Sequence, residues 1–159
     1  MRLKSLLAVS VLLAFAFILT GSGNYQTTCS PINAKQVREM MIQLGYEVKD
    51  IVTDPGKEKF SVSVTRDGLD IPVAAELSGN LKFIWLTVNL GPIVPENATR
   101  HLTMLKQNSI IQPCQFYFTE GGKQMMGLPV DNRGITNAGL RERLETIAGR
   151  VGETKAIWQ

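Results

Sequence analysis

Between Phe60 and Leu77 the apolar residues recur at every second position, and the pattern breaks only at Asp67-Gly68. Phe60, Val62 and Val64 alternate with Ser61, Ser63 and Thr65; Ile71, Val73, Ala75 and Leu77 carry the return. A helix cannot keep such a set on one side, because its period is 3.6, whereas a strand must. Asp-Gly suits a two-residue type I′ turn, in which both central residues need positive φ. The stretch therefore commits the chain to an antiparallel hairpin whose apolar face requires a second layer. Pro72 lacks an N–H for a ladder, so its strand is expected either at a sheet edge or to start late.

The flanking segments extend this pattern. Tyr46, Val48 and Ile51 predict an earlier strand, stopped by Asp54-Pro55-Gly56. After the turn Ser78-Gly79-Asn80, Leu81–Leu90 predicts the longest strand. Cys114, Phe116 and Phe118 alternate, Glu120-Gly121-Gly122-Lys123 turns, and Gln124–Val130 returns. Helical spacing appears three times. Asn33 with Gln36 forms a capping box before Val37, Met40, Met41 and Leu44, and Gly45 suits the position after the helix. Pro95 and Glu96 suit a helix start, and Ala98, Leu102 and Leu105 recur as its apolar face. Thr136 caps a last helix bearing Leu140, Leu144, Ile147 and Val151. The expected class is α+β, an antiparallel sheet of about five to six strands with three helices in the order α-β-β-β-α-β-β-α.

The N-terminus reads differently. Arg2 and Lys4 precede an uncharged apolar stretch, Leu6–Leu19, and then Gly21-Ser22-Gly23-Asn24. That is the layout of a signal peptide, and the apolar run falls short of the roughly 20 residues a spanning helix needs. The expected organisation is a signal peptide over 1–23, a loose segment over 24–32 and one domain over 33–159. The protein is then exported, periplasmic or secreted, and meets a membrane only through the signal segment if that segment stays uncleaved, its cleavage site being open. The chain has 17 basic and 14 acidic residues, and losing Arg2 and Lys4 leaves the remainder nearly neutral. Without a Lys/Arg cluster, nucleic acid is not an expected partner. Both cysteines, Cys29 and Cys114, lie in the exported part, where a disulfide and two separate thiols are both open. Neither belongs to a Cys-x-x-Cys pair.

Residues that could carry chemistry are few. His101 is the sole histidine, at the border of an apolar helix face. With Cys29 and Cys114 it offers three scattered zinc-ligand types and no ligand spacing. Asp67 and Asp70 flank the hairpin turn, where aspartate serves turn geometry. Gly121-Gly122-Lys123 precedes a strand, whereas a phosphate loop opens a helix. Asp131-Asn132-Arg133-Gly134 lacks the spacing and closing glutamate of a calcium loop. Asn97-Ala98-Thr99 spells a glycosylation triplet inside a predicted helix. No catalytic, metal or cofactor site is expected.

The strand Leu81–Leu90 carries apolar residues on both parities: Leu81, Phe83 and Trp85 on one, Ile84, Leu86 and Val88 on the other. Either a second layer covers each face or one face meets a partner. The candidate protein-binding residues are Ile84, Trp85, Leu86, Val88 and, on the neighbouring strand, Met125, whose flexible thioether suits an adaptable surface.

Several words of the sequence occur together: Leu44-Gly45-Tyr46 after the first helix, the strands Phe60–Thr65 and Leu81–Leu90, Leu105-Lys106-Gln107-Asn108 closing the middle helix, and Phe116-Tyr117-Phe118. In this combination, spanning about Asn33 to Val151, the chain resembles the YbjN-like sensory-transduction family, which resembles type III secretion chaperones in fold. The resemblance implies a curved sheet with helices on one side, a homodimer, and binding of a polypeptide rather than catalysis. Secretion chaperones are cytosolic and usually acidic; this chain is expected outside the cytosol and near neutral. The leading expectation is a non-catalytic polypeptide-binding module of the bacterial envelope. The alternatives are a small-ligand or lipid carrier with an apolar cavity and, last, a hydrolase.

Overall fold

The structure, a computed structural model, describes residues 30–159. The predicted signal peptide, most of the segment before Asn33, and Cys29 lie outside the described residues. The order is α1 (Ala34–Gln43), β1 (Lys49–Val52), β2 (Lys59–Arg66), β3 (Leu69–Leu77), β4 (Phe83–Pro92), a 3₁₀ turn (Pro95–Asn97), α2 (Ala98–Gln107), β5 (Gln115–Phe118), β6 (Lys123–Asp131), α3 (Asn137–Glu153) and α4 (Lys155–Trp158). The six strands form one antiparallel sheet in the order β1-β2-β3-β4-β6-β5. This is the expected α+β class, with a fourth short helix. The first strand begins later than predicted: Tyr46 and Val48 precede β1 and pack, half-buried, against the core.

The local signals act as their chemistry requires. In α1 the Asn33 side chain accepts from the Gln36 N–H, and the Gln36 side chain accepts from the Asn33 N–H. Asp67 and Gly68 take φ of 51° and 76°, and Arg66 opposes Leu69 across the turn. Thr136 caps α3 by accepting from the Gly139 N–H.

All the apolar residues of one sheet parity face the helices. Phe60, Val62 and Val64 of β2, Ile71, Val73 and Ala75 of β3, Ile84, Leu86 and Val88 of β4, and Met126, Leu128 and Val130 of β6 join one core. Leu140, Leu144, Ile147, Ala148 and Val151 of α3 close it, with Val37 and Met41 of α1 beside them. Each large side chain buried this way contributes about 1.5–3 kcal/mol.

Two expectations are corrected. Pro72 is not in an edge strand, since β3 lies between β2 and β4. Yet β3 meets β4 only from Ala74 to Leu77, opposite Thr87 to Ile84. Its first half, including Pro72, pairs with β2 alone, so the missing N–H meets no ladder demand on the other side. The wedge between Leu69–Pro72 and Val88–Leu90 is a cleft of about 140 Å³, and Trp158 of α4 lines it. The second correction concerns α2. Its expected inner face points outward: Leu102 and Leu105 are exposed, as is Ile110 just beyond, and Met104 is the fully buried residue. The centre of the sheet is occupied by α3, so α2 packs on β5 and α4 at the margin and turns only Met104 and His101 inward.

One polar group ties the start of the described chain to the sheet. Asn132, fully buried, donates to the carbonyls of Ile32 and Leu81 at 2.9 and 2.8 Å and accepts from the Ile32 N–H at 3.3 Å. Asn132→Ala removes these three part-buried hydrogen bonds and is expected to cost about 1–3 kcal/mol. Urea unfolding checks this as a lower midpoint with an unchanged slope.

Candidate open-face site

Among the described residues, the four helices cover one face of the sheet and leave the other without a layer. The two parities of β4 then part company. Ile84, Leu86 and Val88 are 0–2% exposed in the core and drop out as candidate surface residues. Trp85 and Met125, half-buried, stand on the opposite face. The pleat explains the division, because successive side chains must point to opposite sides. Apolarity on both parities did not reveal which side the helices would take.

Strand register arranges the open face in rows. Ala74, Thr87, Gly127 and Gln115 lie opposite one another across β3, β4, β6 and β5. This row of mostly small residues is flanked by Glu76, Trp85 and Pro129 on one side and by Asn89, Met125 and Tyr117 on the other. The result is a trough across the strands. Within it is a cleft of about 360 Å³ lined by Glu76, Trp85, Thr87, Gln115 and Tyr117. The glycine is essential to its shape: a Cβ at Gly127 would sit 3.0 Å from Tyr117 Cε1 and 3.8 Å from Trp85 Cζ3. Both rings therefore lean over bare backbone.

The electrostatics of the trough are set by one carboxylate and one orphan hydroxyl. Glu76 pairs with Lys59, Nζ to Oε1 at 3.2 Å. Burial raises the Tyr117 phenol above its ordinary pKa, and the charge of Glu76 adds to this. Thr87, only 5% exposed, has its hydroxyl buried without a hydrogen-bond partner. Sequence reasoning missed Tyr117, Glu76, Thr87 and Gly127. The period-two pattern contained the rows, but register, which brings them together, depends on strand order.

The other singled-out residues pack or bond within the fold, although the buried His101 Nε2 has no hydrogen-bond partner among the described residues. His101 packs edge-on against Phe118 at 5.1 Å between ring centroids. Asp70 accepts from the Thr65 hydroxyl at 2.6 Å across the hairpin. Asp131 pairs with Arg133, whose hydrogen bonds hold its carboxyl down at about 2. Gly121-Gly122-Lys123 forms the β5–β6 turn, with the Thr119 N–H donating to the Lys123 carbonyl. Cys114 is buried, and burial pushes its thiol up to about 11, which keeps it protonated and a poor nucleophile. Among the described residues no group of three or more His, Cys, Asp and Glu is placed to hold a metal, and no helix is long and apolar enough to cross a membrane. The space between helices and sheet, where a carrier would keep its ligand, is filled by Met41, Ile84, Leu86, Leu128, Leu144 and Ile147.

No family model matches the chain, and no curated protein matches it. Among solved structures it is similar to the Yersinia pestis type III secretion chaperone SycH, in complex with a stable fragment of YscM2. That similarity covers 75% of this chain and 96% of the other, at 14% identity and a TM-score of 0.49. A likeness of that size does not extend to function. The resemblance to the YbjN-like family stays with the short sequence words that carry it.

The orphan hydroxyl makes a prediction about stability. Thr87→Val keeps the shape and removes a buried polar group that has no partner, so it is expected to stabilise the fold by about 1 kcal/mol. A lower thermal midpoint in the variant would show that the hydroxyl is satisfied.

Proposed function

We propose that this chain is an exported, non-catalytic module that binds another polypeptide across the uncovered face of its sheet. The observation that carries the reading is the open face itself: Trp85, Tyr117, Met125 and Pro129 stand together there, half-buried, with no helix of the described residues above them. Half-buried aromatic residues around a trough are the usual anchors of a recognition surface, because they bring large contact area with few rotamers to freeze. A polypeptide also suits the trough's form, which crosses several strands. Trp85→Ser is expected to abolish capture of a permanently unfolded model polypeptide while leaving the far-ultraviolet circular dichroism unchanged. Capture equal to that of the parent chain would overturn the reading.

A homodimer belongs to the same proposal, on a different surface. Leu102 and Leu105, three residues apart on α2, with Ile110 beyond, present an outward stripe that a second copy would cover. Leu102→Glu would place charges face to face in such a pair. Sedimentation is expected to show a dimer for the parent chain and a monomer for the variant.

A further inference from the structure

We infer that the trough on the open face is an arginine pocket, which takes the guanidinium side chain of an extended segment of the bound polypeptide. The inference rests on the polypeptide-binding reading and deepens it.

The walls are the rings of Trp85 and Tyr117, whose edges come close over Gly127. Every polar group in the lining can accept a hydrogen bond: the Glu76 carboxylate, the Gln115 side-chain carbonyl, the Tyr117 phenol and the Thr87 hydroxyl. The pocket is thus aromatic at its sides and acceptor-rich in the rest of its lining. A planar cation with several donors meets both demands, because guanidinium stacks on rings and donates in its own plane. Its aliphatic stem covers the apolar walls.

The charge arrangement agrees. Glu76 stands between Lys59 on β2 and Trp85 on β4, opposite each in register. Lys59 takes Oε1 from the β2 side. The second carboxylate oxygen is left for a donor arriving over Trp85. Thr87 supplies the independent sign of a ligand. Its hydroxyl is buried without a partner among the described residues, and Thr87 lines the same cleft as the two rings. Tyr117 belongs to the edge strand β5, so an outward tilt of its ring meets no further strand and opens the way to that hydroxyl. A neutral apolar side chain would fill the walls and leave Thr87 and Glu76 as they are.

The test uses the full chain and three capped pentapeptides that differ only in the central residue: arginine, its uncharged isostere citrulline, or leucine. Binding is read by nuclear magnetic resonance at the Trp85 indole N–H and the Gly127 amide. The arginine peptide is expected to bind about tenfold more tightly than the citrulline one, consistent with a partly desolvated cation beside aromatic rings. Glu76→Gln should erase that preference, and Thr87→Val should weaken arginine binding although it stabilises the fold. Gly127→Ala, which forces Tyr117 from its seat, should weaken all three, with Tyr117→Leu as a second variant should the alanine not fold. Equal binding of the leucine and arginine peptides at these signals would overturn the arginine pocket and leave the polypeptide reading intact. No binding by any peptide, together with undiminished capture of unfolded polypeptide by Trp85→Ser, would overturn both.

Discussion

The packing of α3 on the sheet is the contact on which the other placements depend. Its stripe of Leu140, Leu144, Ile147 and Val151 lies against β2, β3, β4 and β6 at once, and every one of these residues is buried. Because one helix takes the centre, α1 is left beside it and α2 is pushed to the β5 margin. The same contact decides the role of each strand residue. A side chain of one parity enters the core, and its neighbours are sent to the face without helices.

That division gives the molecule two apolar surfaces of different kinds. The open face has depth, because a row containing Ala74, Thr87 and Gly127 runs between rows of larger residues. The α2 stripe has none; it is a ridge of leucines on a helix that reaches the core through Met104. A cleft with acceptors suits a chain with specific side chains, whereas a plain ridge suits its own copy.

Stability and function are set against each other at Thr87. A buried hydroxyl without a partner costs free energy that valine would recover. Its retention in the aromatic cleft makes sense where a ligand supplies the missing partner. Gly127 shows the same exchange: a strand interior is a poor place for glycine, yet only a bare backbone lets Tyr117 and Trp85 lie so low.

The strands from β2 onward, the capping box at Asn33, the type I′ turn at Asp67-Gly68 and the buried stripe of α3 were legible in the residues, since periodicity and turn chemistry are local. The sequence also announced that β4 is apolar on both parities, but not which parity would be covered. Three outcomes belonged to tertiary structure alone. Ile84, Leu86 and Val88 went inward because the helices chose that side. Leu102 and Leu105 went outward because α3 already held the centre, and an amphipathic pattern does not say what it will face. Tyr117, Gly127, Thr87 and Glu76 became neighbours only through the order β3-β4-β6-β5, in which β6 inserts beside β4 and places β5 beyond it. Local signals determine elements because each element satisfies its own backbone. A site spanning four strands is decided by register, which no single segment contains.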